Sequence, residues 1–335
     1  MNNYNTLKSA IYRTFSLVLL IIVINSEGKA QSALISNYQV YIGTARKDNI
    51  DLVILRKFSK NNQDYFVLVD PNSLDTKISF KKECNSIHSG FDEVKNKFAE
   101  SPYFRSLNES KDSAKNIQDA GITHGLPKEA GINLTIDLCP SRHPLNSMIF
   151  TTLINTFQNI QRPIPVAIAI SGRWILEHPR DLIWLKQLQQ KGDINICWIN
   201  HSLNHKFDKN LPLQNNFMLM NATNVKNEIL GNEQLMIQNG LMPSVFFRFP
   251  GLISDNDLLN TVYGFGLITI GSDAWLAKGN PVNEGSIVLI HGNGNEAIGV
   301  SKFLNLLISK KTEEKNKSWL LYDLRQSLEE EFKNN

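Results

Sequence analysis

The alternation of apolar and polar residues changes character three times along this chain. Residues 15–24 form one almost unbroken apolar run. Between 34 and 80 the apolar residues come in short β-branched and aromatic groups, at 38–42, 51–55 and 65–69. Lys/Asn/Asp-rich stretches and Pro71-Asn72 separate them, and runs of this kind bounded by turn formers predict strands. Residues 83–120 are more polar and helical in spacing, while Gly121, Gly125, Pro127 and Gly131 mark 121–131 as a linker. The pattern predicts a small α+β module over about 32–125, and nothing in its residues announces a chemistry.

From residue 132 apolar strands alternate with amphipathic segments. Strands are predicted at 132–136, 165–170, 193–199, 245–247, 267–270 and 287–290. Helical spacing marks 146–161, 181–188, 224–239, 299–309 and 323–332, with 319–322 between the last two. No internal repeat interrupts this order. Such β/α alternation predicts parallel strands covered by helices, and a barrel of that kind carries its functional residues at the C-terminal strand ends.

Length and composition narrow the function classes. The 335 residues suggest two domains at roughly 150 residues each. Hydrophobic residues at 42% against 20% charged residues supply a real core and exclude a wholly disordered chain. Lys+Arg is 35 against Asp+Glu 32, a net charge of +3, which gives no electrostatic case for nucleic acid as a partner. Lys8 and Arg13 precede the apolar run at 15–24, no acidic residue lies in 1–14, and Gly28 and Ala30 stand where a −3/−1 cleavage signal needs small residues. That is the layout of a secretory signal peptide over residues 1–30. The run is too short to span a bilayer comfortably, so no stable transmembrane span is expected after cleavage near Gln31. The mature chain is expected to be secreted or periplasmic. Cys84, Cys139 and Cys197 would then face an oxidising compartment, and either one disulfide or three buried thiols is compatible with that count.

Each predicted strand of the second half runs into something polar. Asp137 ends the first; Asn200, His201 and His205 follow the third; Arg248 ends the fourth; Asp273 and Trp275 follow the fifth; His291 ends the last. His201 and His205 stand at i, i+4, so one helical turn would bring both imidazoles to one side, where they could chelate zinc or a similar ion. Arg248 follows an apolar run, and its fixed charge at the rim would suit holding a carboxylate ionised. His291 could carry a proton near neutral pH as a general acid.

With these residues aligned, residues 132–330 resemble the polysaccharide deacetylase family, the NodB-homology or carbohydrate esterase 4 group. The family's Thr-Phe-Asp-Asp-Gly-Pro corresponds to Thr135-Ile136-Asp137-Leu138-Cys139-Pro140, and His-Ser/Thr-x-x-His is met in full by His201 to His205. The stretch from Gly172 to Asp181 resembles the family's helix entry after the second strand. Arg-x-Pro is Arg248-Phe249-Pro250, followed by Gly251-Leu252 instead of Tyr-Gly. Asp273-Ala274-Trp275 loosely meets the Asp-near-Trp motif, and Leu289-Ile290-His291 meets Leu-x-His. The resemblance implies a distorted (β/α) barrel of about seven strands over 126–335, behind the α+β module. It implies an amide-cleaving hydrolase that removes N-acetyl groups from amino sugars of a polysaccharide or peptidoglycan. A divalent metal, zinc by expectation, would sit on His201 and His205, with Asp137 as base, Arg248 keeping it ionised, His291 as acid and Asp273 tuning His291. Trp275, Leu289 and Pro250 would bind substrate.

One departure stands out: the family's second Asp, a metal ligand, is Leu138 here. Three readings follow. The metal could bind two histidines with waters or a substitute ligand, Cys139 or His143. The chain could be a non-catalytic relative that grips glycan. Or the loop could shift so that Asp137 becomes the ligand.

Overall fold

The structure is a computed structural model that describes residues 34–112, 117–127 and 130–328. The expected signal peptide lies outside the described residues. Residues from Leu34 onward form one compact unit.

The first part is an antiparallel sheet of β1 (Ile35–Lys47), β2 (Ile50–Lys60), β3 (Gln63–Val69), β4 (Thr76–Phe80) and β5 (Asn85–His88), in the order β4-β3-β2-β1-β5. Asp48-Asn49 and Asn61-Asn62 make its two tight hairpins, all four residues with positive φ. Paired left-handed residues match the twist of antiparallel strands, and Asn and Asp tolerate that conformation best after Gly. Helices Phe91–Lys97 and Pro102–Asp112 follow.

The second part is an all-parallel sheet with helices, the distorted barrel expected from the β/α alternation. Its strands are β6 (Gly131–Leu138), β7 (Ile164–Ile170), β8 (Ile194–Asn200), β9 (Pro243–Phe247), β10 (Ile268–Thr269), β11 (Ala274–Trp275), β12 (Ile287–His291) and β13 (Leu320–Leu321). Seven of them run β10-β9-β8-β7-β6-β12-β11, and β13 pairs with the start of β6. Of the last predicted helix, 323–332, the described part holds only a 3-10 turn at Leu324–Gln326.

Strand alternation sorts the two faces of this sheet. Ile132, Leu134, Ile136 and Leu138 of β6 join the even-numbered residues of β7 and β8 against helices Ser147–Phe157, Pro179–Gln190 and Ala297–Ser309. The opposite face of β7 and β8, with Ala167, Ala169, Cys197 and Ile199, shares an apolar cluster with Val53 and Leu55 of β2 and with Tyr103, Phe104 and Leu107. The first sheet and its helix thus pack on the curled inner side of the second.

The expected linker is built into the fold. Ile122 pairs in parallel with Ile270, and His124 pairs with Ser286, so this segment lies along the open seam beyond β10. Gly121 has φ +99°, and a Cβ there would stand 2.3 Å from the Thr269 carbonyl oxygen, so only glycine passes.

Candidate functional site

The site is laid out by β6. Asn133, Thr135 and Asp137 alternate with the core residues of that strand, and Cys139 continues their series just past its end. The family-like Asp137-Leu138 pair therefore splits: Asp137 faces the mouth, and Leu138, fully buried, faces the helices. Cys139, not Leu138, is the next residue on the Asp137 side. On β12, His291 pairs with Asp137 in parallel register, which sets the two side chains beside each other.

Arg248, just beyond β9, is wholly buried and makes four hydrogen bonds. Its Nη1 donates to Asp137 Oδ1 at 2.8 Å and to Thr135 Oγ1 at 2.7 Å; Nη2 donates to the Gly271 carbonyl at 2.8 Å and Nε to that of Ile270 at 3.3 Å. Burial alone would raise the pKa of Asp137, but the charge of Arg248, with His201 and His291, outweighs it and holds the carboxyl below its ordinary value. Asp137 Oδ2 stays clear of the guanidinium and lies 3.7 Å from His201 Nε2.

His201 and His205 meet, though not on a helical turn. Residues 201–205 form a loop in which Ser202 and His205 have positive φ, 65° and 46°. Strain of that kind persists only where the surroundings over-determine it. Here Ser202 Oγ accepts from the His205 amide, and the Leu203 amide donates to the Glu228 carbonyl. Glu228 also takes both the Asn204 amide and its side chain, at 2.8 and 2.7 Å. The two Nε2 atoms stand 3.1 Å apart.

Cys139 Sγ lies 3.6 Å from His201 Nε2, and the donor atoms of Cys139, His201 and His205 all fall within 4.8 Å of one another. A tetrahedral zinc with bonds of about 2.05 Å to nitrogen and about 2.3 Å to sulfur has ligand edges of about 3.3 and 3.6 Å, so the donor set fits such an ion. His201 Nδ1 lies 2.9 Å from the Arg248 carbonyl oxygen and donates to it, which leaves the Nε2 lone pair for a metal. His143, the other candidate substitute, is exposed and outside this group.

Comparison with known proteins adds two findings. Residues 36–104 match the family model of the RP012 protein N-terminal domain. Among solved structures the chain is similar to a family 4 carbohydrate esterase from Bacillus anthracis, at 19% identity and TM-score 0.45 over 66% of this chain and 89% of that one. It is also similar to a family 4 pseudoenzyme from the same organism, at 17% and 0.42 over 63% and 70%. A Bacillus subtilis family 4 carbohydrate esterase gives 16% and 0.44 over 66% and 86%.

The opposite wall is built from β12 and β11. His291 Nδ1 lies 2.9 Å from Glu296 Oε2, within ion-pair distance but off the line of a hydrogen bond, and Trp275 Nε1 donates to the same oxygen at 2.7 Å. Burial would lower the pKa of His291; Cys139 and Glu296 reverse that and raise it well above its ordinary value. Burial would likewise raise the Cys139 thiol, but the facing histidines hold it well below the usual thiol range. Leu252, Trp275 and Leu289 form an apolar patch on this wall. Pro250 is buried behind it, at the start of the turn that presents Gly251 and Leu252.

These walls enclose a cavity of about 470 Å³, rimmed by Phe207 and Phe217. Gly251 has φ +63°, and a Cβ there would meet the Phe217 ring at 2.5 Å, so glycine lets that ring close the rim. A larger concavity, about 1050 Å³, lies on the first sheet. It gathers Arg46 and Lys97, each within ion-pair distance of Asp51, and no cluster of metal donors, so its size does not make it the chemical centre.

Asp273 stands elsewhere. It accepts from the Ile287 amide and contacts His124 and Ser286, so it ties the linker to β12, and Glu296 takes the place beside His291 expected for it. Glu296, Glu228 and Phe217 were not legible: each reaches the site from a loop or helix with no motif around it. Cys139 had a signal in the polar-apolar alternation of 133–139. All three cysteines are free and buried.

Proposed function

We propose that this chain is an exported, metal-dependent N-deacetylase acting on N-acetylated amino sugars of a polysaccharide or peptidoglycan. The observation that carries it is the meeting of His201 and His205 with an Asp137 that Arg248 grips by one oxygen only. The motif order that resembles the deacetylases supports the substrate class. A divalent ion bound at the two histidines would polarise an acetamide carbonyl and make a water acidic. Asp137 Oδ2, free of Arg248, accepts the proton of that water. His291, kept charged, gives its proton to the departing amine. Leu289, Trp275 and Leu252 take up the acetyl methyl. Among the described residues no helix is long and apolar enough to cross a membrane; export rests on the charges and apolar run of residues 1–30.

Acetate release from N-acetylglucosamine oligomers and from peptidoglycan, with metal content measured in parallel, tests this reading. His201→Ala is expected to lose bound metal and activity, and His291→Ala to lose activity while keeping the metal. Leu138, where the resembled family carries a ligand carboxylate, favours a second reading, a non-catalytic glycan binder. Tight oligosaccharide binding with no acetate release under any metal would establish it.

A further inference from the structure

We infer that Cys139 is the third protein ligand of the metal, forming a Cys-His-His centre with His201 and His205 that selects zinc or cobalt over magnesium and calcium. This rests on the metal-dependent reading above and specifies its site. The backbone decides it first. β6 remains extended through Leu138, so that side chain is committed to the core between sheet and helices and cannot turn toward the histidines. The next side chain on the Asp137 face is Cys139. Its Sγ is 3.6 Å from His201 Nε2, and no carboxylate oxygen of the described residues joins the three donors.

Asp137 is thereby left out of the ligand set. Arg248 occupies Oδ1 at 2.8 Å, and Oδ2, though 3.7 Å from His201 Nε2, lies outside the mutually close group that Cys139, His201 and His205 form. One anionic sulfur and two imidazoles are soft and borderline donors, which suit zinc and cobalt and are poor ligands for hard cations. Three protein ligands also leave a position open toward the cavity, as catalytic zinc sites do. The other two thiols cannot take this part: Cys84 precedes β5 and packs in an apolar cluster of the first sheet, and Cys197 on β8 packs within another apolar cluster.

The test uses the chelator-stripped full-length mature chain reloaded with cobalt(II). A near-ultraviolet thiolate-to-cobalt charge-transfer band is expected in the wild type, absent from Cys139→Ser and unchanged in Cys84→Ser. If Cys139→Ser fails to fold, zinc X-ray absorption of the wild type decides alone, with one sulfur at about 2.3 Å expected. Cobalt bound without the band, or a zinc shell of nitrogen and oxygen only, overturns the inference and leaves the metal-dependent reading standing. No cobalt or zinc retained at all overturns both. A band that survives in Cys139→Ser assigns the thiolate elsewhere and overturns the inference.

Discussion

Two arginines, Arg56 and Arg248, are buried almost completely in this molecule, and each grips a buried carboxylate, yet they do opposite things with it. Arg56 on β2 reaches Glu233 on helix Val225–Gln238 with two bonds: Nε donates to Oε2 at 2.7 Å and Nη2 to Oε1 at 3.0 Å. Tyr38 adds a third bond to Oε2, and the remaining Nη1 serves the carbonyls of Leu55 and Phe265. Both carboxylate oxygens are thereby used up. Arg248 holds Asp137 by one oxygen and spends its other donors on Thr135 and two carbonyls, so the second oxygen faces the cavity. A saturated pair can only join two elements; a half-used pair keeps a charged, oriented oxygen for chemistry. The first also supports the second. Arg56 fixes the helix whose first turn carries Glu228, and Glu228 anchors the His201–His205 loop.

The sharpest way to separate the pairs is to disable each carboxylate. Asp137→Asn keeps the shape and an acceptor for Arg248 but removes the base. We expect acetate release to fall by about 10²–10⁴-fold, the usual contribution of a general base, while the protein still folds and retains metal. Unchanged turnover would move the base elsewhere and leave the Arg248 pair with a purely architectural part.

Arg56→Leu attacks the joining pair. It strands the Glu233 charge in a dry interface, a cost of about 3–5 kcal/mol read from the urea midpoint. Arg56→Leu with Glu233→Leu is expected to recover most of that loss, because an apolar pair of similar volume often replaces a buried ion pair at little cost. Acetate release per folded molecule should stay near wild type in the double variant. A double variant that folds but is inactive would break the comparison, since the first pair would then belong to the site as well.

Leu138→Asp asks whether the ligand position implied by the family resemblance exists in this chain. The new carboxylate would enter the cluster of Ile136, Leu145 and Phe150 with no donor facing it, at a cost of about 3 kcal/mol or more, and without tighter metal binding. Stronger metal binding in a stable variant would show that β6 ends one residue earlier than it does here.

What the sequence disclosed and what it hid follow one physical line. Most strands and helices of the second half were legible because period 2 and period 3.6 are local signals, and so was the gathering of Asp137, Arg248 and His291 at strand ends; helix Asn256–Gly264 and the two-residue strand Ala274–Trp275 were not. β4 and β5 were missed because short, half-exposed strands carry little apolar pattern. The expected helical turn at 201–205 is a strained loop, since its shape is imposed by Glu228 and Asn200 from other elements. Glu296 stands beside His291 where Asp273 was expected for the same reason: which carboxylate reaches an imidazole depends on loop paths that no spacing encodes. Leu138 was aligned to a ligand by its neighbours in sequence, while the pleat of β6 decides which neighbour faces the histidine pair.

The smallest effect is expected at a carboxyl that forms no ion pair among the described residues and feels Lys311 only as the weakest of its influences, which supplies the baseline for both pairs. Glu314, in the short helix Lys311–Lys315, is covered, and its Oε1 has no hydrogen-bond partner among the described residues. Burial first, and the neighbouring Glu313 second, push its pKa up to about 7 from the ordinary 4.5. The sign is opposite to that at Asp137. Below about 4.5 the group is protonated whether the chain is folded or not, so it changes nothing. As pH rises from there through about 7 the unfolded chain ionises more readily than the folded one, and stability is lost. A shift of that size at full burial would mean about 3 kcal/mol, but the carboxyl sits under a thin layer at the surface, so about 1 kcal/mol is the expected loss between pH 5 and pH 8. Glu314→Gln removes the titration. The difference in urea midpoint between wild type and Glu314→Gln should be near zero at pH 5 and favour the variant at pH 8. Equal midpoints at both pH values would mean that Glu314 finds a partner in solution, and the baseline for an unpaired carboxyl would have to be taken from another position.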